Sequence, residues 1–549
     1  MTKAASLFTN GAIRTMNPAQ PVAEALAVDA GGRILGVGSA RDLQRFVDGK
    51  TQEVDLAGRF VMPGIFDFHL HVIDGIVLRQ RSFPIDAGDD FDTILESVRQ
   101  AAASRREEGW LIGGSYGEQA LGYIQSAGPE AKRRLNEASG DRPLLMFHVS
   151  QHGAFVNDAA LREAGIHTET PDPPGGRVVR VQGEATGLLE EHAMSLVTSA
   201  IPEPTDIELI DLARAAVQYF NSVGMTGFVD AMSTPAMLRA FRALDDAGEL
   251  SAWSGFTLAT RHGSTVCSQA AKEMLEKRKQ ICGPHMIAEN AKIFLDGVPS
   301  LRTAAMISPY PGVGGHGEMY LTPDELFAEI AALDRQGVGV KVHAIGDAAV
   351  ARVLDAVAKV RRENGDDGPR HHIAHGQFLR HEDIGRMKQL RVIADLNPPL
   401  WFVNHASLAH ERVVGAERYS KVWPIRTMLE AGVTMALGSD WLTIFPEIDP
   451  WKALAGLLTR RDPSRKYEGV HAPQEAITLD QALPLMTCNP AEGIGLGERT
   501  GRLEVGMSAD MIVLDRDLYA VSSEEIAGTH VLKTYFEGRQ VYSSVTSAD

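Results

Sequence analysis

Short blocks of alternating polar and apolar positions open the chain, and longer apolar runs follow. Residues 5–13 read as two short strands around the turn Asn10-Gly11. Further strands are predicted at 23–28, closed by Gly31-Gly32, at 34–37 and at 54–61. Met62-Pro63-Gly64 breaks this pattern, and 65–72 follows as an apolar strand with polar residues at alternate positions. From about residue 90 to 500 the period changes. Apolar runs at 144–149, 226–230, 291–295, 338–343, 371–375, 392–396 and 434–437 alternate with helical patterns such as 322–335 and 348–362. Strand–helix alternation predicts parallel βαβ units. Their right-handed repetition gives an open doubly wound sheet or a closed (β/α)₈ barrel. No GxGxxG follows an early strand, which favours the barrel.

The stretch from about 76 to 205 is too long for one connecting loop. It contains a hairpin pattern at 176–186 and a Pro-rich segment at 171–174, and reads as an insertion capping the barrel mouth. Strands return at 511–514, 531–536 and 540–542. The expected organisation is therefore an α/β chain. Residues 1–61 and 491–549 supply the two parts of a small composite β-sandwich, and 62–490 form a distorted barrel carrying the insertion.

Composition narrows the function. The chain has 549 residues, 44% of them hydrophobic and 23% charged, which is ordinary for a globular protein. A formal charge of −17 disfavours nucleic acid and anionic membrane surfaces as partners. The three cysteines, Cys267, Cys282 and Cys488, lack CxxC spacing and read as reduced thiols. No secretory signal pattern and no apolar run long enough to span a bilayer is visible, so the expectation is a soluble cytoplasmic protein acting on a small molecule.

Candidate chemistry begins at Asp67-Phe68-His69-Leu70-His71. Residues two apart on a strand face the same side, so His69 and His71 project together. With 18 histidines, chance supplies about 0.6 such pairs, so the motif gains meaning only from its surroundings. His343, His375 and Asp440 each stand at the C-terminal end of an apolar run. That end is where a barrel assembles its active site. Imidazoles and a carboxylate converging there are a metal-ligand set. Lys292 opens the run Lys292-Ile293-Phe294-Leu295-Asp296-Gly297. Burial lowers a lysine's pKa, and a neutral amine can add carbon dioxide to form a metal-bridging carbamate. The alternative for Lys292 is a salt bridge, for instance to Asp296.

These segments, together with Pro63-Gly64-Ile65-Phe66, Thr303-Ala304-Ala305-Met306, His343-Ala344-Ile345-Gly346-Asp347, Ala374-His375-Gly376-Gln377, Gly438-Ser439-Asp440-Trp441 and the tail 500–511, resemble the amidohydrolase superfamily in its amidohydrolase 3, or YtcJ-like, branch. The resemblance covers nearly the whole chain. It implies metal ligation by His69, His71, His343, His375 and Asp440, and places Lys292 where many relatives carry a carbamylated lysine. It implies Zn²⁺, as one or two ions, with Mn²⁺, Fe²⁺ or Co²⁺ also suited to such ligands. Asp440 is expected to serve as general base and then acid, with His343 or His375 helping to hold the oxyanion. His152, Glu191 and Trp441 are expected to line the substrate pocket. The reaction implied is hydrolysis of a non-peptide C–N bond by a metal-activated water, on an N-substituted amide or formamide. Esters, carbamates and cyclic amides are the alternative substrates, and a non-catalytic scaffold the rival class. A homodimer is expected by the same resemblance. The chain departs from the family at Gly114-Ser115-Tyr116-Gly117-Glu118, where relatives often show Gly-Trp-Asp, and at Ser150-Gln151-His152 and Ile373-Ala374-His375.

Overall fold

The structure is a computed structural model that describes residues 2–104, 109–262, 265–266 and 269–544. Its central sheet has eight parallel strands: Ile65–Leu70, Met225–Ser233, Trp253–His262, Met286–Phe294, Gly339–Ala344, His372–His375, Ile393–Leu396 and Met435–Leu437. Each pairs with the next in chain order. The sheet closes where the last strand meets the first. The Asp440 amide donates to the His69 carbonyl and the His71 amide to the Trp441 carbonyl, both at 2.7 Å. The result is the expected distorted (β/α)₈ barrel.

Strands covered on both faces read as continuous apolar runs, and the first, fifth, sixth, seventh and eighth strands are buried along their whole length. The charged exceptions, Asp67, Lys341 and Asp395 among them, are therefore informative, because a buried charge costs several kcal/mol unless it is paired. The helix Pro323–Arg335 starts where a capping box places it. The Thr322 hydroxyl accepts the Glu325 amide, and the Glu325 carboxylate accepts the Thr322 amide.

Four sequence expectations change. The run at 144–149 is not a barrel strand. As Leu144–Phe147 it pairs parallel with Leu111–Ile112 and antiparallel with Gly153–Val156, in a five-stranded sheet built wholly within the insertion. The third barrel strand, Trp253–His262, had gone unread because serine, glycine and threonine interrupt its apolar pattern. Residues 5–13 do not form a hairpin. Ser6–Thr9 joins Ala25–Val28 and Gln52–Asp55 in a four-stranded sheet, whereas Ala12–Arg14 joins Val22–Ala23 and Phe60–Pro63 in a six-stranded one. Asn10, in the left-handed region at φ 56°, turns the chain from one sheet to the other. Residues 54–61 divide in the same way, between Gln52–Asp55 and Phe60–Pro63.

Both ends of the chain meet in the six-stranded sheet, where Phe60–Pro63 pairs antiparallel with Met511–Leu514. Phe8, Leu26, Val61, Met511 and Tyr535 share one apolar cluster between the two layers. Cys282 and Cys488 are free thiols, and Cys267 lies outside the described residues. No helix among the described residues is long and apolar enough to cross a membrane.

Candidate metal centre and catalytic cavity

His69 is fully buried on the first barrel strand. Its Nδ1 lies 2.7 Å from Asp395 Oδ2 on the seventh strand. A carboxylate there accepts the Nδ1–H hydrogen bond and leaves Nε2 to face the barrel axis, the second contact usual for a metal-binding imidazole. Asp395 in turn accepts from Lys341 Nζ at 2.6 Å, and Lys341 also donates to the Phe68 carbonyl at 2.6 Å. Strand register sets this chain of contacts, since Lys341 pairs with His372 and Ala374 with Asp395.

On the axis side, Asp440 Oδ1 lies 3.5 Å from His69 Nε2 and 3.4 Å from His71 Nε2. Lys292 Nζ stands 3.4 Å from His69 Nε2. His69, His71 and Asp440 each offer one atom within 4.8 Å of the others. Asp440 Oδ1 is buried and has no hydrogen-bond partner among the described residues. Separations of 3.4–3.5 Å match the edge of a tetrahedron with its corners roughly 2.0–2.1 Å from the centre. His375 adds a third imidazole, its Nδ1 3.1 Å from the Asn397 carbonyl and its ring 5.2 Å from that of His69. The His343 ring lies 4.3 Å from the His375 ring, with Nε2 3.4 Å from the Gly297 carbonyl.

Electrostatics prepares these groups to bind a cation. Burial, reinforced by neighbouring cations, holds His69 and His343 well below the ordinary imidazole range. Burial brings His375 to about 4. All three are neutral, as metal ligands must be. Burial alone would raise Asp440, but the imidazoles of His71, His69 and His375 around it hold it well below the usual carboxylate range. Burial takes Lys292 down to about 8. Among the described residues it makes no ion pair, so the alternative of a Lys292–Asp296 salt bridge fails. Asp296 is instead held by the amides of Ala305, Ile345 and Gly346.

The centre opens into a cavity of about 400 Å³ lined by His71, Lys292, His343, His375 and Asp440. His152 and Glu191, contributed by the insertion, line it too. They form a pair at 2.7 Å, and the Thr303 hydroxyl donates to Glu191 at 2.6 Å. Burial opposes a charged His152, yet Glu191 outweighs it and raises the imidazole pKa above its ordinary value. The backbone is strained at three of these positions: Asp440, His375 and Glu191 take φ of 52°, 72° and 51°, conformations that cost about 1–3 kcal/mol and cluster at working sites.

Trp441 departs from expectation. Its ring is absent from this cavity. The indole Nε1 donates to the Pro446 carbonyl at 2.9 Å, and the ring packs on Tyr219 and over Gly75. The neighbouring Leu442, Thr443 and Ile444 line the cavity instead. Sequence reading also missed Asp395 and Lys341, whose signal was a charge within an apolar run. His410, which no sequence pattern singles out, is buried on the cavity wall with Nδ1 3.2 Å from Gln377 Nε2.

A closed eight-stranded barrel that gathers imidazoles, a lysine and a carboxylate at its C-terminal strand ends defines a class of enzyme-like barrel. The chain matches the amidohydrolase family over residues 52–542 and belongs to it. An N-substituted formamide deformylase of Arthrobacter pascens is 29% identical over 552 residues, 97% of each chain. Protein LONG AFTER FAR-RED 3 of Arabidopsis thaliana is 29% identical over 555 residues, 98% of this chain and 91% of its own. An uncharacterized metal-dependent hydrolase of Pyrococcus horikoshii superposes with a TM-score of 0.73 at 23% identity, covering 94% of this chain and 99% of that one. A Xanthomonas campestris adenosine deaminase with bound zinc superposes at 0.55 with 11% identity, covering 98% and 93%. The two solved structures share the fold.

Proposed function

We propose that the protein hydrolyses a non-peptide C–N bond of a small N-substituted amide or formamide, with a divalent cation, zinc first among them, held by His69, His71 and Asp440. The observation that carries this reading is the orphaned Asp440 Oδ1, buried between two imidazole nitrogens at 3.4–3.5 Å. The donor set fits such an ion, and His343, His375 and Lys292, the last as its carbamate, would hold a second one. A cation bound there supplies Lewis acidity that lowers the pKa of water and polarises a carbonyl.

The remaining chemistry belongs to the side chains. Asp440, kept ionised by its imidazole neighbours, takes the proton from the attacking water and passes it to the departing nitrogen. His152, its pKa raised by the pair with Glu191, faces the cavity as a donor for the oxyanion that develops at the carbonyl. Away from the centre, Val77, Leu78, Ile112, Met194 and Ile201 form an apolar wall, and no arginine lines the cavity among the described residues. A neutral substrate with an apolar nitrogen substituent suits those walls better than one bearing a carboxylate. The printed name of the Arthrobacter relative supports the same substrate class.

The test is metal content by inductively coupled plasma mass spectrometry on protein purified without chelator. It is followed by a panel of N-alkyl formamides, esters, carbamates and cyclic amides. One or two equivalents of metal and fastest release of formate support the proposal. Turnover confined to esters or carbamates reassigns the bond cleaved. Protein that takes up no metal after incubation with zinc, manganese and bicarbonate overturns the reading and favours a scaffold.

A further inference from the structure

The helix Val72–Arg81 follows the first barrel strand directly, with His71 at its N-cap. His71, Asp74, Val77 and Leu78 all line the catalytic cavity. Residues three and four apart lie on one face of a helix, so these four form a single row. From the metal centre outward, the row is a ligand imidazole, a carboxylate and an apolar pair. Each step advances about 4.5–6 Å along the helix axis.

Asp74, Glu191 and Asp440 are the carboxylates that line the cavity among the described residues. Glu191 is held by His152 and Thr303, and Asp440 sits between the imidazoles of His69 and His71. The nearby Asp230 is satisfied as well, accepting the Val72 and Met232 amides and the Ser233 hydroxyl. Asp74 alone is uncommitted. It accepts no hydrogen bond and forms no ion pair among the described residues, and it is exposed. Burial is nevertheless the largest influence on its pKa and raises it, with His71 opposing and Asp230 adding to the shift. A carboxyl both accessible and desolvated faces an enclosed space, the cavity, and not open water. An acid in the first turn also complements the helix dipole, but that role needs no place on a cavity wall.

A secondary amide carries its groups in the same order as this row: a carbonyl, an N–H and a substituent. We propose that Asp74 is the substrate-binding residue that selects a secondary amide. Its carboxylate accepts the amide N–H, with the carbonyl at the metal centre beside His71 and the substituent against Val77 and Leu78, and it then holds the released amine as an ammonium. The selection rests on the hydrolase reading above, whereas the amine site asks only that an alkylammonium bind. Hydrolysis breaks the C–N bond, the oxygen of water joining the carbonyl carbon and one of its protons the nitrogen. The amine so formed takes up the proton that the carboxylic acid product releases, so the products are a carboxylate and an ammonium. Esters and tertiary amides have no N–H. Each would leave a desolvated carboxylate facing a group that cannot donate, which costs more than the hydrogen bond forgone.

The experiment is calorimetric titration of the metal-loaded full chain with hexylamine and with 1-hexanol near neutral pH. Alongside it, kcat/KM is measured for N-hexylformamide and hexyl formate. Asp74→Leu removes both acceptor and charge, and Asp74→Asn keeps an acceptor without the charge. A thermal melt and metal content establish that each variant folds with its centre intact. The expected result is saturable binding of hexylamine to the wild type, weakened about tenfold or more in both variants, with 1-hexanol bound no more weakly. The amide-to-ester ratio of kcat/KM is expected to fall about 10–100-fold in Asp74→Leu and less in Asp74→Asn. No saturable hexylamine binding, or equal affinity in wild type and variants, overturns the amine site. An unchanged amide-to-ester ratio in Asp74→Leu overturns the selection. A protein that cleaves neither compound, yet binds hexylamine through Asp74, sinks the hydrolase reading and the selection with it, and leaves the amine site standing.

Discussion

Asp440 combines three properties that rarely coincide: a left-handed backbone, an unpaired buried oxygen and a carboxyl held ionised by imidazoles. Replacing it with asparagine keeps the shape and removes the base. Asp440→Asn is expected to lose about 10²–10⁴-fold in kcat while metal content, measured on the same sample, persists. Loss of less than about tenfold would remove Asp440 from the proton path. Behind it, Asp395 fixes the His69 tautomer and Lys341 balances its charge. Asp395→Asn is expected to weaken metal binding about 10–100-fold in chelator competition. Lys341→Met leaves a buried carboxylate uncompensated and is expected to cost about 3–5 kcal/mol in urea denaturation. His69, His71, His343, His375, Asp440 and Lys292 were legible because each is a polar residue on or at the end of an apolar run. Asp395 and Lys341 carried the same signal, but their partners lie 326 and 273 positions away, for His69 and the Phe68 carbonyl respectively, and no local pattern names such a partner.

Elements bring these residues together through close approach of backbones. At Gly438 a Cβ would meet the His69 Cβ at 2.5 Å and its amide nitrogen at 2.7 Å. The last and first barrel strands therefore close only because this position lacks a side chain. Gly438→Ala is expected to separate them, destabilising the protein by about 1–3 kcal/mol and weakening metal binding together. Stability and metal affinity both unchanged would show that the closure tolerates a methyl group. Strand type was easier to read than strand membership. The run at 144–149 is as apolar as any barrel strand, yet hydrogen bonding assigns it to the insertion's own sheet. Trp253–His262, weaker in pattern, takes the third place in the barrel because its neighbours on both sides pair with it.

Across the whole molecule, His285 ties the barrel layer to the C-terminal sheet. Its Nδ1 lies 2.7 Å from Asp245, and its Nε2 3.3 Å from Glu537. Burial disfavours the charged ring, but hydrogen bonds to both carboxylates raise its pKa from 6.5 to about 9. A raised folded-state pKa contributes stability that is fully present below the unfolded value and is lost as pH rises through the folded one. The Tm gap between wild type and His285→Gln is therefore expected to be widest near pH 6, and to narrow through pH 6.5–9. A gap independent of pH would mean the ring contributes by packing alone.

The (β/α)₈ class, most of the barrel strands, the use of both termini in one sandwich and the candidate ligands are legible in the sequence alone. Apolar period and the placement of polar residues at strand ends are local properties, fixed over a few residues. Tertiary structure alone decides which atoms face one another. It turns Trp441 out of the catalytic cavity and splits residues 5–13 between two sheets. It joins Lys341 to Asp395. Those outcomes depend on closure of the barrel and on contacts between distant segments, where shape and hydrogen-bond direction, rather than hydrophobic period, select the arrangement.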